Sequence, residues 1–237
     1  MQEASSCRTV QIQIPTLFSY NNKRQREDDR GYLITMKKVF FKPWVGENYD
    51  YGGIFGKKIL VVGESHYCDE CEKCNEANAY AGCREFTKNV VKQIIVGEKT
   101  RWSGTFRKFA KSLTGERQIT DEQVWQSIAF YNYLQVAVAK ARQAGNYADY
   151  DKSEDAFYEV LNTLQPDVIF VWGVTRMYDN MPSNGWKEGN EMIVDGYNVL
   201  NGYYTLDNDK RVRAVWVYHP SAAYSPEWWN KVINKVL

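Results

Sequence analysis

The chain holds two histidines in 237 residues, and both stand just beyond the end of a short apolar run. His66 lies in Gly63-Glu64-Ser65-His66-Tyr67, after the run at 58–62, and His219 opens His219-Pro220-Ser221, after the run at 213–218. Two further runs, 128–131 and 167–172, end on Asn132-Tyr133 and on Gly173. An imidazole titrates near neutrality and can both donate and accept a hydrogen bond. Together with the carboxyl of Glu64, the hydroxyls of Ser65 and Ser221 and the amide of Asn132, these residues could move a proton, orient a water and read the edge of a heterocycle. One histidine in such a place is as readily a structural hydrogen-bonding group. Two of them, beyond the ends of two runs, point to a shared site.

For those residues to meet, the four runs must be neighbours in one sheet. Each is short, apolar and closed by glycine or a polar residue, as expected of a strand buried on both faces. Helical patterns lie between them at 84–96, 104–113, 121–127 and 153–164, the last opened at Ser153 and stopped by Pro166. Strands alternating with helices imply a three-layer α/β/α domain with a mainly parallel, four-stranded central sheet, and such sheets bind ligands beyond the carboxyl ends of their strands.

Residues 1–35 read as a polar N-terminal extension that includes the charge run at 23–30, and residues 36–237 as a single domain. Hydrophobic residues at 44% and charged residues at 25% exclude a disordered or collagen-like chain. No apolar run approaches the ~20 residues that span a bilayer, so no membrane association is expected. Gln11, Gln13 and Pro15 interrupt any secretory leader, which makes the cytoplasm the expected compartment. Thirty basic against 29 acidic residues give a net charge of +1, so contact with nucleic acid would need a local basic surface. Arg107 and Lys108, among the aromatics of the 101–111 segment, offer one; a solvated amphipathic helix explains the same pattern.

Four of the five cysteines fall within sixteen residues, as Cys68-x2-Cys71-x2-Cys74-x8-Cys83. In a reducing compartment such spacing is better explained by metal ligation than by disulfides, with free or redox-active thiols as the alternative. Zinc is the expected metal and a [4Fe–4S] cluster the second choice, since nothing else suggests redox chemistry. Four thiolates leave no open position for water, so the insertion at 68–83 would be structural.

The order of these elements resembles the uracil-DNA glycosylase superfamily: Gly63-x-x-x-Tyr67 after a first strand, Asn132 closing a second, Val168-Ile-Phe-Val-Trp-Gly173, and finally His219-Pro-Ser221. The resemblance runs from about residue 58 to the end. It implies a monomeric enzyme that flips a nucleotide out of single- or double-stranded DNA and hydrolyses the N-glycosidic bond of uracil or another altered pyrimidine. By the same resemblance Asn132 reads the base edge, Phe86 stacks on its face, Gly63 and Tyr67 line the pocket with Tyr67 crowding C5, and His219 stabilises the charge that develops on O2. Ser221 would grip a neighbouring phosphate. Read from the residues alone, Asn132 could equally cap a turn, Phe86 pack a core and His219-Pro-Ser221 form a plain turn.

Two departures matter. The best-known members carry Gly-Gln-Asp-Pro-Tyr-His with an Asp that activates water; Ser65 stands at that place here, leaving Glu64 or His66 as substitutes. Ala222-Ala223 replaces the family's Pro-Leu wedge, so that Tyr224 either serves as the wedge or packs the final helix. Some branches hold a four-cysteine iron–sulfur cluster, with a different cysteine distribution. A glycosylase for another modified base, including a viral one, and an inactive nucleic-acid-binding protein of the same fold are the rival expectations.

Overall fold

A strand covered on both sides must alternate its side chains between two cores, and the computed structural model shows this alternation. It describes residues 36–68, 81–100, 102–139 and 143–237. The elements in chain order are β1 (Trp44–Val45), β2 (Ile59–Gly63), α1 (Phe86–Ile95), α2 (Ser103–Thr114), α3 (Asp121–Trp125), β3 (Ala129–Asn132), α4 (Tyr147–Leu164), β4 (Val168–Trp172), α5 (Thr175–Asn180), β5 (Trp186–Glu188), β6 (Ile193–Val194), β7 (Tyr197–Asn198), β8 (Asn201–Thr205), β9 (Arg211–Val217) and α6 (Pro226–Asn234). Ile59, Val61, Val168, Phe170, Val215 and Val217 enter one core, beneath α1, α2, α3 and α6. Leu60, Val62, Ile169, Val171, Ala214 and Trp216 enter the other, beneath α4 and α5. The result is three layers, helices on both faces of a sheet.

The sheet has seven strands rather than four, in the order β1-β3-β2-β4-β9-β8-β5. The four expected strands are its parallel centre, with Gly63 beside Asn132, Val62 beside Val171 and Trp172 beside Val217. β1, β8 and β5 extend it antiparallel on the two sides. The chain passes from β2 to β3 in one direction and then back across β2 to β4, so the crossover direction reverses between β2 and β4. That reversal opens a crevice at the carboxyl ends of these strands.

α4 begins at Tyr147, ahead of the expected Ser153, because Asn146 accepts from the Asp149 amide and Asp149 bonds back to the Asn146 amide. Among the described residues no helix is long and apolar enough to cross a membrane.

Candidate functional site

Gly63 ends β2, and its lack of a side chain sets the geometry beside it. A Cβ there would lie 2.3 Å from Asn132 Oδ1, so the Asn132 side chain can cross the end of β2 only because residue 63 is glycine. Asn132 is 6% exposed. Its Nδ2, which can only donate, lies 3.0 Å from His66 Nδ1 and 3.3 Å from Nε2. His66 Nε2 is also hydrogen-bonded with Thr87 Oγ1, at 2.9 Å. Phe86 packs against the same ring at 4.5 Å between centroids, and Phe41 meets it edge-on at 4.8 Å.

The His66 imidazole thus occupies the space between Phe86 and Asn132. Burial alone depresses its pKa to about 3, so the ring is neutral at ordinary pH. With both nitrogens engaged and no route to water, His66 in this position is not placed to activate a nucleophile, which argues against the water-activating role considered for it.

His219 shows the opposite environment. The Ser221 backbone N–H, which can only donate, lies 3.2 Å from His219 Nδ1, and the Ser221 hydroxyl is at 2.7 Å from the same nitrogen. Nδ1 accepts, so the ring proton resides on Nε2, on the side away from the turn. The Ala222 N–H closes that turn on the His219 carbonyl at 2.9 Å, with Pro220 fixing its first corner. The turn is therefore the device that orients the imidazole, and the cap of α6 is supplied instead by Ser225. Burial, together with the positive charge of Arg176, lowers the His219 pKa against the opposing field of Glu64. The neutral ring is held as an Nε2–H donor.

Between the two histidines stands Trp172 at the end of β4, 5.3 Å from the Phe130 ring and 5.9 Å from the His219 ring. Gly173 follows it at φ +113°, a conformation that favours glycine, and turns the chain into α5. The Trp172 indole N–H and the Ser65 hydroxyl are buried without a hydrogen-bond partner. Unpaired buried donors are rare in folded proteins and mark places where a ligand or water completes the bonding.

Glu64 points to the other face of the sheet. Its Oε1 accepts from the Tyr150 hydroxyl at 2.6 Å, and Arg176 Nη1 reaches its two oxygens at 3.1 and 3.2 Å. Burial, and after it the bond to Glu64, raises the Tyr150 pKa, so this phenol is a committed donor. Both oxygens of this carboxylate are thereby engaged. Among the described residues Ser65 is the member of the first motif with a buried polar atom that has no partner.

No family model matches the chain, and no curated protein matches it in sequence.

The remaining residues named from the sequence fall as follows. Tyr67 is 47% exposed and its backbone bridges to Val138. Tyr224 is buried, stacks on Trp229 and bonds Ser112 Oγ at 2.7 Å through its hydroxyl, so it packs α6 and is not a wedge. Arg107 spends its guanidinium on Asp121, Ser103 and the Glu98 carbonyl, which ties α2 to α3 and leaves it unavailable to phosphates. Lys108 is exposed on the same helix. Cys68 and Cys83 are half-buried free thiols, whereas Cys71 and Cys74 lie outside the described residues, as do residues 1–35. Thr87, Tyr150, Trp172 and Arg176 are the site residues the sequence did not single out. Only Trp172 carried a signal, as the last residue of an apolar run.

Proposed function

We propose that this chain is a DNA glycosylase that hydrolyses the N-glycosidic bond of uracil or another altered pyrimidine in an extruded nucleotide. The observation that carries the reading is the enclosure of the His66 imidazole. A planar nitrogen heterocycle lies against Phe86 and takes a hydrogen bond on its edge from Asn132, the two contacts that reading a flipped base requires. His66 stands in for that base, and it must swing out before a base enters.

In the bound state the Asn132 amide supplies a donor and an acceptor to the O4 and N3–H edge of the base. When the bond from C1′ breaks, its electron pair goes to the departing pyrimidine. The His219 Nε2–H, already fixed by Ser221, stabilises the resulting charge on O2 without reorganisation, a contribution worth about 10²–10³ in rate for one such donor. A water held by the free Ser65 hydroxyl adds to C1′, and its proton balances the charge of the released base. The missing carboxylate at 65 leaves this step with orientation and little general-base help. Four thiolates at 68, 71, 74 and 83 would hold zinc and brace the loop that carries Tyr67, in a monomer of the cytoplasm.

Purified protein should release free base from single-stranded oligonucleotides carrying uracil or, failing that, another altered pyrimidine. His219→Gln should lower release by about 10²–10³, and Asn132→Ala should abolish it. The same filled pocket favours a second reading, an inactive nucleic-acid-binding protein, and binding of every oligonucleotide without release from any would establish that instead.

A further inference from the structure

On the opposite face of the sheet from Asn132 and His219 lies a cavity of about 390 Å³ between α4, α5, the turn after α5 and the strands β5, β8 and β9. This volume falls within the range of small-molecule sites. Its walls are aromatic: Tyr178 and Trp186 each meet the Trp216 ring edge-on, at 5.5 and 4.7 Å between centroids, and the rings of Tyr133 and Tyr204 lie deeper. Three carboxylates, Asp151, Glu154 and Asp179, complete the lining. Among the described residues no lysine or arginine lines it, and none of the three carboxylates forms an ion pair.

The charge of Glu154 is felt inside. It is among the causes that raise the pKa values of Tyr133, Tyr158 and Tyr204, after burial. An anion would therefore be repelled, and a neutral ligand would leave the acidic side chains without a counter-charge. Aromatic faces attract a cation through their quadrupole, and most strongly when it is desolvated.

We propose that this cavity binds a small alkylammonium cation, with the cationic head against the rings and the carboxylates at the mouth. The site is independent of the glycosylase reading.

Isothermal titration of the full chain at constant ionic strength tests it with three probes: choline, tetramethylammonium and the uncharged isostere 3,3-dimethylbutan-1-ol. Choline and tetramethylammonium should both bind, and the uncharged isostere more weakly than either. Glu154→Gln and Tyr178→Leu should each weaken choline about threefold to thirtyfold, the range spanned by single cation–π and charge contacts. Both positions are at least partly open to solvent, so the variants should fold, and circular dichroism checks this. Equal binding of choline and its isostere, no binding of either cation, or parental affinity in both folded variants would overturn the proposal.

Discussion

The two histidines occupy matched positions, each just past the carboxyl end of a parallel strand, yet their surroundings differ. His66 is walled in by Phe41, Phe86, Thr87 and Asn132, with both nitrogens bonded. His219 is fastened at one nitrogen only, by Ser221 in its own turn, and rests on Trp172. The topology delivers a side chain to the crevice, and the number of its polar atoms left unengaged then decides whether it can act on a ligand. By that measure the proposed reading makes His219 the working group and His66 an occupant.

The largest expected effect separates them by activity. His219→Gln should lower base release by about 10²–10³ with little change in urea midpoint, since one aimed donor is lost from a partly open position. His66→Ala should act on stability instead, costing about 2–4 kcal/mol in urea unfolding because it empties a buried site and strands Thr87 and Asn132. A large stability loss at 219 with none at 66 would invert the comparison.

Gly63→Ala comes next. Its new Cβ, 2.3 Å from Asn132 Oδ1, must displace that side chain, so release should fall about tenfold to a hundredfold while far-ultraviolet dichroism stays parental. Unchanged release would show that the amide of Asn132 is not the reading group.

The pH dependence sharpens the contrast further. The unfolded chain takes up a proton on His66 near 6.5, and the folded chain only near pH about 3, so between those values the unfolded state binds more protons. The stability contributed by this group is complete above 6.5 and falls as pH drops toward 3, at up to ~1.4 kcal/mol per unit. Urea midpoints from pH 7.5 to 4 should slope less in His66→Gln than in the parent. His219→Gln should change the slope in the same direction by less.

The smallest effects belong to the basic pair on α2. Arg107→Ala should cost about 1 kcal/mol of stability through its lost bonds to Asp121, Ser103 and Glu98. Lys108→Ala should leave stability alone and, in fluorescence-anisotropy binding to DNA, reduce the slope of log affinity against log salt by about 0.7–0.9.

The four central strands were legible because each is buried on both faces and therefore apolar without interruption. The flanking strands were not: β5 reads Trp-Lys-Glu and β8 begins Asn-Gly, sequences whose pairing comes from their neighbours and not from their own pattern. The start of α4 was misread because its opening turn is polar and held by a capping box whose first residue is Asn. At the site, the ends of the strands announced Asn132 and His219. The sequence could not announce that His66 lies between Phe86 and Asn132, since that arrangement depends on α1 closing over a loop that holds His66, 21 positions before Thr87. Arg176 and Tyr150 were hidden for the same reason, as partners of Glu64 from 112 and 86 positions away.

Tyr150 has a further consequence. Its ring helps to wall the aromatic cavity while its oxygen holds Glu64, at the end of β2, so one phenol has two tasks. Truncation at that position removes both. Tyr150→Phe preserves the wall and severs the tie, and so separates the filling of the cavity from the anchoring of the first motif.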